Sequence, residues 1–85
     1  MSVSPPSDPP VTIVDARGHR CPTPTLRLRR ALERAPAGGR VRLLADDPLA
    51  RIDVPHFVRS AGDVLEDMAD SPEGLVFTVR KSSPA

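Results

Sequence analysis

The sequence predicts an α+β fold: a two-layer α/β sandwich ordered β-α-β-α-β-β, with a four-stranded mixed sheet and both helices on one face. Three observations predict it. Eighty-five residues leave room for one domain with a modest core. A helical run of apolar residues stands between two strand-like runs, which is a β-α-β unit. Two further apolar runs near the C-terminus are joined by a Pro/Gly turn.

The elements follow in order. Residues 1–10 are rich in Ser and Pro, with neither a basic start nor an apolar stretch, so they read as a disordered tail and not as a secretory signal or membrane span. Val11-Thr12-Ile13-Val14-Asp15 is β-branched and alternates little, the pattern of a strand whose two faces, or one face and an edge, are covered. A loop over 15–20 follows, in which Gly18 permits positive φ. Over 22–35, Leu28, Ala31, Leu32 and Ala35 recur at i, i+3, i+4 and i+7, one face of a helix, with Arg27, Arg30 and Arg34 opposite. Leu26 lies about 160° from Leu28 around that helix and should be exposed among the arginines.

Pro36 to Arg40 ends the helix, and 41–45 reads as a second strand parallel to the first. Asp46-Asp47-Pro48 then stands at the carboxyl ends of both strands, where sites of such units lie. Asp53 followed by Val54-Pro55 reads as an N-cap with proline in the first turn, opening a short helix through His56, Phe57, Val58 and Ala61 to Gly62. Residues 64–69 and 75–81 read as a strand pair around Ser71-Pro72-Glu73-Gly74, and 82–85 as a tail.

One cysteine, Cys21, sits between the first strand and the first helix. Pro22 and Pro24 suit a helix that begins immediately after it, since the first-turn N–H groups have no intrahelical acceptor. Cys21 then occupies the cap, where free N–H groups, the helix dipole and Arg20 all favour thiolate over thiol. Free cysteine is more often a small buried filler, but a position flanked by Arg20 and two prolines suits filler poorly. Pro22 and Pro24 also stiffen the turn, leaving amides such as that of Thr23 to stabilise negative charge on sulfur.

Composition excludes several classes. A single cysteine forms no internal disulfide, which points to a reducing, cytoplasmic setting. Two phenylalanines with no tryptophan or tyrosine leave the core to leucine, valine, isoleucine and alanine, and provide no platform for stacking bases, so direct nucleic-acid binding is not expected. A net charge of +1 gives no whole-molecule attraction for phosphate. One cysteine and two dispersed histidines lack the paired spacing of a zinc site, and neither a metal nor a cofactor is expected. A Cys-His-Asp hydrolase is equally thin, because neither His19 nor His56 has an evident orienting partner.

Three segments taken together carry a resemblance: Asp15-Ala-Arg-Gly18-His-Arg-Cys21-Pro22-Thr-Pro24, Ala45-Asp46-Asp47-Pro48, and Asp53-Val54-Pro55-x-Phe57. Over residues 11–81 the chain resembles the TusA-type (SirA-like) sulfur-carrier family, whose signature is D-x-x-G-x-x-C-P-x-P followed by D-D-P and D-I-P-x-F. The resemblance implies a sulfurtransferase-type relay more than an autonomous catalyst. Cys21 would accept sulfane sulfur as a persulfide from a donor, a cysteine desulfurase or rhodanese, and pass it to an acceptor protein in tRNA thiolation, cofactor sulfuration or sulfur oxidation. Arg20, Pro22, Thr23, Pro24 and Gly18 would support the sulfur, and Leu26, Arg27 and Arg30 would dock partners.

Two departures stand out. Some members carry glutamate where this chain has Thr23; its loss removes a negative charge near the sulfur and favours the thiolate. Val58 stands where some relatives carry a second cysteine, so no intramolecular disulfide resolves the persulfide. His19 and the Asp46/Asp47 pair are candidates for tuning Cys21, the aspartates by holding Arg17 or Arg20, although aspartates before proline more commonly cap turns. Two other readings stay open: a binding or regulatory module whose Arg27/Arg30/Arg34 face meets nucleic acid or an acidic protein, and a thiol redox sensor in which Cys21 is oxidised.

Overall fold

The computed structural model describes residues 11–19, 23–72 and 74–82. The expected N-terminal tail and residues 83–85 lie outside this range. The elements are β1 (Val11–Asp15), α1 (Thr23–Arg34), β2 (Arg40–Ala45), α2 (Ala50–Ala61), β3 (Val64–Ser71) and β4 (Gly74–Arg80). The sheet order is β1-β2-β4-β3, with β1 and β2 parallel and the other two pairs antiparallel. This is the expected mixed sheet.

Alternation along the strands makes the two layers. Val41, Leu43 and Ala45 of β2 and Leu75, Phe77 and Val79 of β4 turn inward and are buried. From the helices they meet Leu28 and Leu32 of α1 and Ala50, Val54 and Val58 of α2. Phe77, fully buried and paired with Leu43 across β2 and β4, is the largest side chain in this core. The isoleucines expected there are absent from it: Ile13 is 63% and Ile52 68% exposed. A buried phenylalanine fills the volume instead.

The first strand also departs from expectation. It is an edge strand, and its residues Val11 and Ile13 are exposed, so its β-branched run reflects strand propensity more than burial.

The second helix begins earlier than the sequence suggests. Asp53 is not its N-cap but lies in its first turn, three residues past the helix start at Ala50. Asp47 makes the turn that feeds it: its Oδ1 accepts the Leu49 N–H at 3.0 Å and its carbonyl accepts the Ala50 N–H at 2.9 Å. The earlier start wins because Ala50, Val54 and Val58 then fall on one buried stripe at i, i+4 and i+8. Pro55 consequently lies inside the helix. At the other end Gly62 takes φ 79°, its N–H bonding Arg59 and the Asp63 N–H bonding Val58, a Schellman closure.

The last described residues are tied in. Lys81 Nζ donates to the Ala35 carbonyl at 3.0 Å, closing the end of α1, and Ser82, expected to open a tail, donates its N–H to Asp63 Oδ1 at 3.1 Å.

Candidate functional site

The carboxyl ends of β1 and β2 deliver two loops to the same place. Ala16, buried at the exit of β1, donates its N–H to the Leu44 carbonyl at 2.8 Å and continues the ladder one residue beyond the strand. The chain then turns, with the His19 N–H on the Ala16 carbonyl at 3.3 Å. Gly18 sits in this turn at φ 83°, with open space where a Cβ would stand, so its requirement is conformational and not steric.

Across the gap, Asp46 clasps that glycine. Both of its carboxylate oxygens lie 3.0 Å from the Gly18 nitrogen, a charge-assisted bond spanning 28 residues of sequence. The Asp46-Asp47-Pro48 segment lies at the carboxyl ends of β1 and β2, as expected, where Asp46 holds the loop and Asp47 opens the turn into α2. Asp15 holds Arg17. Asp15 accepts Arg17 Nε at 2.9 Å, Nη2 at 2.8 Å and the backbone N–H at 3.1 Å. These bonds, with the Arg17 charge, bring the Asp15 pKa down from 3.8 to about 2.

Residues 20–22 lie outside the described range, and with them the expected placement of Cys21 at the cap, Pro22 in the first turn and Arg20 beside the sulfur. Their flanks are described. Thr23 opens α1 half-buried and Pro24 is buried, so the helix begins two residues after Cys21 in the chain. No acidic side chain lies in its first turn, so nothing there offsets the positive end of the helix dipole. Thr25 Oγ1 is buried in the same turn with no hydrogen-bond partner among the described residues. No sequence signal marks that hydroxyl.

Of the residues named for docking, Leu26 is 52% exposed and lines a shallow depression with Thr23, Arg27, Arg29 and Arg30. Arg27 turns aside to donate Nη1 to the Asp15 carbonyl at 2.8 Å. Arg30 and Arg34 are exposed further along the same stripe. His19 is exposed beside Gly18, whereas His56 is exposed on α2 and belongs to another part of the surface. Among the described residues, no three His, Cys, Asp or Glu side chains come together as metal ligands, and no helix is long and apolar enough to cross a membrane.

Comparison with known proteins decides the family. The family model described as Sulfurtransferase TusA matches residues 12–81. The chain belongs to the TusA family. A protein of Archaeoglobus fulgidus is 37% identical over 68 residues, covering 80% of this chain and 88% of its own. Proteins named sulfur carrier protein TusA from Pseudomonas putida and Pseudomonas fluorescens are 31% and 32% identical, covering 87% and 95% of this chain and 92% and 99% of theirs. The crystal structure of a SirA-like protein from Desulfitobacterium hafniense superposes with a TM-score of 0.72 at 27% identity, over 86% of this chain and 99% of that one. The TusA signature thus sits on the fold expected for it, with its Gly and Asp-Asp-Pro segments in contact.

Proposed function

We propose that this protein is a sulfur carrier that takes sulfane sulfur onto Cys21 as a persulfide and hands it to an acceptor protein. The observation that carries the reading is the junction of the Gly18 loop, clasped by Asp46, with a helix whose first turn lacks any carboxylate, two residues after the only cysteine. A helix start with no carboxylate in its own first turn favours an anion, and a thiolate or persulfide is one. Relatives named sulfur carriers support the same reading.

The transfer balances without an added oxidant. The Cys21 thiolate attacks the outer sulfur of a donor persulfide; its new S–S bond forms as the donor's S–S bond breaks, and the donor leaves as a thiolate. The reverse sense delivers sulfur to an acceptor thiolate. Because Cys21 is the only cysteine in the sequence, no second thiol of this chain resolves the persulfide, and the acceptor nucleophile belongs to another molecule. A cysteine desulfurase or rhodanese suits the donor role, and a reducing cytoplasm suits the thiol.

Intact-mass measurement tests this. After incubation with a cysteine desulfurase and cysteine, with thiosulfate and a rhodanese, or with polysulfide, wild type gains about 32 Da per sulfur, and dithiothreitol removes the gain, which distinguishes a persulfide from a sulfinic acid of the same nominal mass. Cys21→Ala gains nothing. Wild type left unmodified by every donor, or modified only in a form that dithiothreitol does not reverse, overturns the reading.

A further inference from the structure

Among the described residues, the two outer edges of the sheet are unlike. The β3 edge is blunted: its ladder is interrupted between Leu65 and Asp67, and Glu66 at the irregularity is clamped by Arg40 Nε at 2.7 Å and Arg80 Nε at 3.1 Å. The β1 edge has an unbroken five-residue register to β2. In a parallel pair, alternate residues of an outer strand turn their backbone groups away from the partner. The Ala16 N–H bond to Leu44 sets the phase, so Thr12 and Val14 turn toward β2, and Val11, Ile13 and Asp15 turn away. Arg27 takes the outward Asp15 carbonyl and so closes the edge at that end. The backbone groups of Val11 and Ile13 face outward beyond it.

What flanks this edge is equally specific. On the helix side runs a groove of about 380 Å³ between β1 and α1, with Thr12, Val14 and Ala31 along it and Arg27, Arg30 and Arg34 on its wall. On the opposite side of the strand, Val11 and Ile13 are exposed, 43% and 63%. A cationic wall thus lies on one face of the edge, and on the other lie two exposed apolar side chains, Val11 and Ile13, beside Arg40 and Arg42 of β2.

We propose that the β1 edge docks an extended acidic segment of a partner protein, one that alternates carboxylate and apolar side chains and adds as a fifth strand. Such a strand lies about 4.8 Å from β1 and sends successive side chains to opposite faces. Its carboxylates enter the groove toward Arg30 and Arg34, and its apolar side chains cover Ile13 and Val11. Nucleic acid matches only the arginines and leaves Val11 and Ile13 uncovered. A second copy of this chain fits poorly, because its acidic strand is the irregular β3, whose Glu66 and Asp70 already pair with Arg40, Arg80 and Arg51. The surface does not depend on the sulfur chemistry of Cys21.

Amide spectra of the ¹⁵N-labelled full chain test this with four probes: a peptide of about eight residues alternating glutamate and valine, the same residues with the glutamates in one block, an alternating lysine-valine peptide, and a single-stranded oligonucleotide. The alternating acidic peptide should shift Val11–Asp15 and the groove side of α1, and slow exchange of the Ile13 amide about tenfold or more. Arg30→Glu with Arg34→Glu should weaken it about tenfold or more, and Ile13→Asp should also weaken it. Cys21→Ala should bind it as wild type does while losing sulfur loading, so that the docking and carrier readings fail separately. The docking proposal is overturned if millimolar alternating peptide leaves the Ile13 amide unprotected, or if the block peptide or the oligonucleotide acts on the same residues equally well.

Discussion

Asp15 serves two structures at once. Its carboxylate holds Arg17 in the glycine turn, while its carbonyl accepts Arg27 from α1, so one residue ties the strand end to the loop and to the helix. With the folded pKa near 2 and the ordinary value near 3.8, the contribution to stability is complete above the ordinary value and is lost as pH falls through about 2. A carboxyl titration followed by NMR should therefore place the Asp15 midpoint near 2, and Arg17→Ala should raise it toward 3.8. An unchanged midpoint in the variant would contradict the assigned cause. Legibility at this scale was uneven. Gly18 was readable because a glycine before a helix start suggests positive φ, but its acceptor, Asp46, lies 28 residues away, and only the folded loops bring the two together.

Helix α2 shows how two valid start signals compete. Asp47-Pro48 and Asp53-Val54-Pro55 each carry an aspartate ahead of a proline, and local chemistry alone does not rank them. Packing ranks them, because only the earlier start adds Ala50 to the stripe of Val54 and Val58 against the sheet. Asp47→Ala should then cost about 1 kcal/mol, as for loss of a helix-start acceptor, and Asp53→Ala only a few tenths, as for an acidic group favouring the dipole. Urea titrations of the two variants check this, and the reverse order would restore Asp53 as the cap. By contrast α1 was legible nearly to the residue, since its leucine and alanine period and its arginine stripe agree with each other and no second start signal competes.

At the scale of the molecule, the order of elements was readable and the order of strands was not. Each strand announced itself through composition, but the placement of β4 between β2 and β3 depends on pairings between distant segments that no local pattern encodes. The same placement makes Phe77 central, because β4 is flanked on both sides and faces the helices. Phe77→Ala should cost about 3–5 kcal/mol, a large part of the stability of so small a domain, whereas Phe77→Leu should cost under about 1.5 kcal/mol. Equilibrium unfolding in urea measures both, and a small loss in the alanine variant would show that the core is not built around this ring. A last consequence concerns reach. Gly18 is fastened through Asp46 and Pro24 is buried in α1, and Cys21 is three residues from each. On the sulfur-carrier reading proposed above, fastened positions three residues to either side of Cys21 make the whole protein the travelling arm.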